Sequence, residues 1–227
     1  MPLFFLGSSK ISPFLSIAKK ELQTAERRDS VNDLSIIIAN VYRKNDQYEQ
    51  LAALVRRYEP DLLLAMETDQ AWIEGLRALE SAYPHRVLAP LDNTYGMALY
   101  SRLPLHYEEV HHFVEDSVPA IETMVELPSG RFVKVYGVHP RPPAPGENPT
   151  SIEKDQELVI IGRRVRQLEV AYRPVVVAGD LNDVAWSPTT RLFRQLSGLL
   201  DVRRGRGFFN TFPVPVPVFR FPLDHLF

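Results

Sequence analysis

From Leu34 onward the chain alternates short apolar runs with longer stretches in which apolar residues recur every three or four positions. The short runs are "LSIIIAN" ending at Asn40, "DLLLAME" at Glu67, "FVKVYGVH" at His139, "VVVAGD" at Asp180 and "FPLD" at Asp224, each closing on a polar residue. Their length and their β-branched and aromatic content predict strands. The stretches between them predict helices. "DQYEQLAALVRRYEP" places Tyr48, Leu51, Leu54, Val55 and Tyr58 on one face, with Asp46 and Glu49 spaced as a capping box and Pro60 as the stop. Residues 152–172 repeat the pattern through Leu158, Ile161, Val165 and Leu168. Ser187 as N-cap, with Pro188 at the first helical position, announces a third helix that closes at Gly198. "ETMVELPSGRFVKVYGV" reads as a hairpin turning at Pro128, Ser129 and Gly130. Hairpins mixed with strand–helix–strand units predict a mixed-sheet α/β protein without internal repeats.

A chain of 227 residues fits one domain. Residues 1–33, with the mixed-charge segment "AKKELQTAERRDS", read as a peripheral lead-in, and residues 34–227 as the domain proper. The composition, 45% apolar and 24% charged, is that of a soluble globular protein. A net charge of −2 argues against a generally cationic nucleic-acid binder, though not against a local basic patch. The chain has no cysteine, which excludes disulfides and thiolate metal sites. No apolar run reaches the ~18 residues of a membrane span. "MPLFFLGSSK" is too short for a usual signal peptide, and the compartment stays open.

The polar strand ends carry the candidate chemistry. Ligands of α/β proteins gather outside strand ends, so convergence of these ends would unite carboxylates, amides and an imidazole. Oxygen donors of this kind suit Mg²⁺, which keeps several waters and takes phosphate oxygens. A carboxylate can then orient water, and an imidazole can protonate a leaving oxygen. Each residue alone also has a structural explanation. Asn40 could cap a turn, Glu67 could be a solvated strand end, His139 could pack on the proline-rich loop, and Asp224 could be a hairpin-end aspartate. Asp180 with Asn182 is the strongest local signal, because an extended i, i+2 pair faces one way. Arg141, on "HPRPPAPGENP" (139–149), is a candidate for phosphate contact, since guanidinium matches phosphate oxygens. Trp186 either stacks on a substrate or pins its loop. The basic stretches "RRVR" (163–166) and "DVRRGRG" (201–207) read as a solvated helix face and as a loop that either grips phosphate or merely turns. "FPVPVPVF" (212–219) reads as an extended edge or polyproline segment.

In order, "IIIANV", "LLLAMETD", "GMALYSRLPL" (read as a strand), "GVHPRPP", "VVVAGDLND" and "TFPVPVPVFRFPLDHLF" resemble the endonuclease/exonuclease/phosphatase superfamily, with its deoxyribonuclease I-like fold. The resemblance runs from about Leu34 to Phe227 and is nearest to a bacterial branch with a His-Pro-x-Pro-Pro motif. It implies a four-layered sandwich of two mixed β-sheets flanked by helices, and phosphoester hydrolysis dependent on Mg²⁺ or Mn²⁺. By the same resemblance, Glu67 is the main metal ligand, and Asn40 supports the metal and the scissile phosphate. Asp180 aligns the attacking water, Asn182 binds a phosphoryl oxygen, His139 stabilises or protonates the phosphate group, and Asp224 orients a second histidine. The implied substrate is a phosphoester of nucleic acid, a sugar or inositol phosphate, or a phospholipid head group. A membrane tether outside the chain is a further expectation, and no protein partner is predicted.

The sequence departs from the family pattern at its end. The second histidine of the family lies on a further strand, whereas this sequence stops at Phe227. The expectation is a chain lacking its last strand or strands and one catalytic base. His225 should face away from whatever Asp224 faces, which gives it a structural role. Two rival readings follow. A calcineurin-like metallophosphatase would need a Gly-Asn-His motif and further histidines, and after Asn182 the chain offers only His225. A catalytically dead or truncated homologue acting as a phosphate-binding interaction module is the alternative to the enzyme.

Overall fold

A computed structural model of the chain describes residues 29–142, 151–169, 174–203 and 223–227. Strands β1 (Ile36–Asn40), β2 (Leu62–Met66), β3 (His85–Ala89) and β4 (Met97–Ser101) form a four-stranded sheet in the order β1-β2-β4-β3. Strands β5 (Leu105–His111), β6 (Ala120–Glu126), β7 (Phe132–Val138), β8 (Val175–Asp180) and β9 (Asp224–Leu226) form a five-stranded sheet in that order. Both sheets are mixed, with β1 parallel to β2, β7 parallel to β8, and the remaining pairs antiparallel. Helices α1 (Tyr48–Tyr58) and α2 (Gln70–Gly75) accompany the first sheet, and α3 (Ile152–Glu169) and α4 (Pro188–Ser197) the second.

The apolar alternation sorts these elements into four layers. Ile36, Ile38, Leu62, Leu64 and Met66 face Ile121, Val125, Val133, Val135 and Val176 in the core between the sheets. The intervening residues Ile37, Leu63 and Ala65 pack against Leu51, Val55 and Trp72 of the helices. On the other side, Tyr136, Val138 and Val177 pack against Leu158, Ile161, Val165 and Phe193. Strands covered on both faces read as unbroken apolar runs, which is why "LLLAM" lacks a polar face. This is the deoxyribonuclease I-like sandwich that the motifs imply.

Local signals fared unevenly. Ser187 caps α4 by accepting from Thr190 N, Pro188 opens the helix, and Gly198 closes it at φ +77°. The hairpin β6–β7 turns where expected, with Gly130 at φ +77°. The capping box of α1 is absent. The helix begins at Tyr48 without a side-chain cap, Asn45 Oδ1 takes Gln47 N instead, and Glu49 pairs with Arg56. The segment "GMALYSRLPL" is two strands rather than one, because it turns at Arg102–Pro104 and carries the chain from the first sheet to the second. The predicted strand ending at Asp224 instead begins there. Since β9 runs antiparallel to β8, its first residue lies opposite the last residue of β8, Asp180. Helix α2 carried no recognised sequence signal. The stretch 212–219 and residues 1–28 of the lead-in fall outside the described residues.

Candidate active site

Five strand ends meet at one edge of the inter-sheet layer. β1 and β2 are in register with Asn40 opposite Met66, so Glu67 emerges beside Asn40. In the facing sheet, Val138 pairs with Gly179, and His139 and Asp180 leave adjacent strands one residue later. Asp224 lies across from Asp180. The two halves touch where the Asp180 amide approaches Met66 Sδ at 3.1 Å. Gly179 permits this closeness. It sits at φ +146°, and a Cβ there would come within 1.8 Å of the Val138 carbonyl oxygen.

The centre of the cluster is one amide shared by two carboxylates. Asn40 Nδ2 donates to Glu67 Oε1 at 2.9 Å and to Asp180 Oδ2 at 3.3 Å. The Asn40 carbonyl oxygen takes Tyr42 N at 3.1 Å, which fixes the amide so that its nitrogen faces the acids. Glu67 Oε2 lies 3.4 Å from Arg43 N, and Asp180 Oδ1 accepts from Asn182 N at 2.8 Å. Among the described residues neither carboxylate has an ion-pair partner. Asp180 is buried, and a buried charge left without a counter-charge is costly. The donor set fits a divalent cation, because carboxylate oxygens with no competing ammonium or guanidinium are what a hard cation takes.

Backbone strain collects at the same place. Glu67 (φ +62°) and Asn182 (φ +49°) are left-handed without being glycine, at a cost of roughly 1–2 kcal/mol each for ordinary residues. Asn182 therefore does not continue the strand, which ends at Asp180, and the expected i, i+2 alternation gives way to a turn. Its side-chain amide donates to the Pro140 carbonyl at 2.9 Å, tying the turn after β8 to the loop after β7. His139 is buried against Tyr95, with ring centroids 5.8 Å apart, and its Nδ1 has no hydrogen-bond partner among the described residues.

The sequence matches the profile of the Endonuclease/Exonuclease/phosphatase family over residues 37–227. The chain belongs to this family. TDP2 of D. rerio, in complex with a single-strand DNA product, shares 19% identity over 85% of this chain and 82% of that one, with a TM-score of 0.68. Sphingomyelinase C of Streptomyces griseocarneus shares 18% over 74% and 70%, with a TM-score of 0.58. A beta-hairpin deletion mutant of beta toxin from Staphylococcus aureus shares 19% over 76% and 75%, with a TM-score of 0.58. At such identities the likeness carries the fold. No curated protein matches the sequence. Membership in the endonuclease/exonuclease/phosphatase family supports phosphoester hydrolysis as the chemistry of the chain.

Of the residues predicted from the sequence, Asn40, Glu67 and Asp180 touch directly, while Asn182, His139 and Asp224 are brought alongside Asp180 by backbone register and turn. Arg141 is already engaged, its Nη1 3.0 Å from Glu115 Oε1. Trp186 is about half exposed, at 49%. In the basic stretches, Arg163 and Arg166 are exposed, whereas Arg164 pairs with Glu122. Arg203 is buried in an ion pair with Asp201, and residues 204–207 lie outside the described residues. No described helix is long and apolar enough to cross a membrane.

Sequence reasoning gave no role to Arg43, whose amide faces Glu67, or to Lys154, which donates to Asp183 at 2.7 Å. Neither residue stands in a recognisable local pattern. A second carboxylate–imidazole group, Glu109, His111 and Glu122, has ligand atoms within 4.8 Å of one another on β5 and β6. That group holds its own cations, with Lys134 Nζ at 2.5 Å and Arg164 Nη2 at 3.2 Å from Glu122.

Proposed function

We propose that the chain is a divalent-metal-dependent phosphoesterase, with Glu67 and Asn40 as the residues that would hold Mg²⁺ or Mn²⁺. The observation that carries this reading is the neutral Asn40 amide bridging two carboxylates that have no cationic partner among the described residues. When bound, the cation would supply charge screening of the phosphoryl oxygens. The protein's own residues do the rest. Asp180, its second oxygen already held by the Asn182 amide, orients water and accepts its proton. The Asn182 side chain leaves Pro140 to donate to a phosphoryl oxygen. His139, whose buried Nδ1 has no hydrogen-bond partner among the described residues, donates to the phosphate group. Asp224, across from Asp180, shapes the electrostatics of the same pocket. Arg141, paired with Glu115, would exchange that partner for a phosphate oxygen. TDP2 and the sphingomyelinase-type neighbours suggest a nucleic-acid or phospholipid phosphoester as the substrate class, with sugar and inositol phosphates as further members of a test panel.

The test is hydrolysis of bis(4-nitrophenyl) phosphate, single-stranded oligonucleotide, inositol phosphate and sphingomyelin vesicles with Mg²⁺ or Mn²⁺ added after chelation. Activity should require the cation and fall about 10³-fold in Asp180→Asn, the size expected for loss of a general base. Rate that survives Asp180→Asn would sink the assignment. Phosphate binding without any hydrolysis would favour the interaction-module alternative.

A further inference from the structure

Behind the Asp180–Asn182 turn lies a buried polar assembly that the proposed chemistry does not use. Lys154, from the first turns of α3, donates to Asp183 Oδ2 at 2.7 Å, with side chains only 5% and 13% exposed. Ser187 Oγ donates to the same oxygen at 2.8 Å, and Val184 N to Oδ1 at 2.8 Å. The Asp183 carbonyl is met by His225 Nε2 at 2.8 Å, and His225 Nδ1 by Arg203 Nη2 at 2.6 Å. Arg203 is in turn gripped by both oxygens of Asp201, at 2.9 and 2.8 Å, and donates to the Asp224 carbonyl at 3.2 Å.

The chemistry of the donors fixes the state of His225. A guanidinium has no acceptor and a carbonyl no donor, so Nδ1 accepts and Nε2 carries the hydrogen. The imidazole is neutral, and burial together with the Arg203 charge pushes its pKa down to about 3. His225 is stacked on Phe227 on the helix side of the sheet, opposite to the face shared by Asp224 and Asp180. It therefore does not stand in for a catalytic histidine.

Burying an ammonium against a carboxylate gains little over an apolar pair of equal volume, so stability alone does not explain the arrangement. Its position does. Asp183 follows Asn182, and holding its carboxylate and carbonyl from two directions fixes the peptide beyond the left-handed Asn182. That turn in turn presents Asn182 N to Asp180 Oδ1. We propose that Lys154, Asp183 and His225 form a clamp of positioning residues that holds the Asp180–Asn182 turn in its working shape, an inference that rests on the site assignment above.

Two readouts test it on the full chain. The first is NMR-detected hydrogen exchange of the Asn182 amide, which reports the turn with or without activity. The second is kcat and KM for bis(4-nitrophenyl) phosphate with Mg²⁺. Lys154→Met should speed Asn182 exchange at least ~10-fold relative to Leu64 of β2, and lower kcat roughly 10- to 100-fold at unchanged KM. Lys154→Arg should restore most of both. Because Lys154→Met strands a buried carboxylate, Lys154→Met with Asp183→Asn serves as the second variant. It should regain stability while the turn stays fast-exchanging and kcat stays low. A loss confined to Tm, or faster exchange with unchanged kcat in an active protein, overturns the clamp. If the wild type has no Asp180-dependent hydrolysis, the proposed function fails by itself, and exchange at Asn182 still decides whether the clamp orders the turn.

Discussion

Two clusters in this molecule gather carboxylates beside an imidazole, and they differ in what balances the charge. On the outer face of the second sheet, Glu109 and Glu122 stand directly opposite one another across β5 and β6. Such a like-charged pair is unfavourable alone. Here His111 bridges both acids, at 3.1 and 2.8 Å, and Lys134 and Arg164 neutralise Glu122. Burial alone would raise the Glu122 pKa; hydrogen bonding and charge from Lys134, with Arg164 and His111, outweigh it and hold the group below the ordinary range. Phe113 stacks on His111 and under Arg164, closing the group as a piece of structure. Between the sheets, Glu67 and Asp180 share only the neutral amide of Asn40, with left-handed backbone at Glu67 and Asn182. The first cluster is complete without a ligand. The second, on the function proposed above, would take its cation from outside, and charge balance separates the two better than the count of ligating side chains.

Removing the acids one at a time tells the two clusters apart. The largest effect belongs to Glu67→Gln, which should lower cation-dependent hydrolysis at least ~100-fold. It should also erase the Tm increase that Mg²⁺ or Mn²⁺ gives the wild type, worth about 2.7 kcal/mol at a hundred times Kd. Glu109→Gln should leave both unchanged. If instead Glu109→Gln removed the Mn²⁺ shift, the two clusters would have exchanged roles.

Next in size is Glu122→Gln, which strands Lys134, only 11% exposed, and should cost about 3 kcal/mol in urea unfolding without touching activity per folded molecule.

Glu157, a buried carboxyl beside Glu115, is an intermediate case. Burial first, and the Glu115 charge second, raise its pKa to about 8. The folded form then keeps a proton that the unfolded chain releases above its ordinary 4.5. Stability from this group is full below that value and is lost as pH rises through about 8. Glu157→Gln should thus match the wild type near pH 4.5 and exceed it increasingly as pH rises toward 8 in thermal melts. His225 acts with the opposite sign. Its pKa is depressed from 6.5 to about 3, so its contribution is present above 6.5 and fades as pH falls toward 3.

The smallest effect is the most pointed. Glu67 and Asp180 bond to one nitrogen and so lie no more than about 6 Å apart, where like charges repel by about 1 kcal/mol or somewhat more. Asp180→Asn should raise the stability of the chelated protein by about that amount while lowering hydrolysis about 10³-fold. An acid in the balanced cluster should show the reverse.

Much of this was legible in the chain. The polar terminations at Asn40, Glu67, His139 and Asp180, the Ser187–Pro188 cap, the Gly198 stop and the Gly130 turn all stand at the positions the sequence assigned. These features depend on steric and periodic preferences that act within a few residues. The misplaced features failed for a local reason too. The capping box at Asp46 obeyed a spacing rule, but Asn45 offered the backbone a competing turn. The reading of Asp180 and Asn182 as an extended pair assumed a strand reaching Asn182, whereas β8 ends two residues earlier, at Asp180.

Periodicity along the chain was enough to place most of the elements, their buried faces and the chemical types that close the strands, though not α2 or the division of β4 from β5. Tertiary structure alone decided that β9 enters antiparallel and sets Asp224 across from Asp180, and that Asn40 and Asp180, 140 residues apart, share a hydrogen bond. It also decided which acids meet cations: Glu122 finds Arg164 from 42 residues away, and Asp183 finds Lys154 from 29. Charge balance acts through space, whereas the signals written along a chain act through the backbone. Composition therefore fixed how many acids and bases the protein carries, and folding fixed which acids, among the described residues, pair with a base.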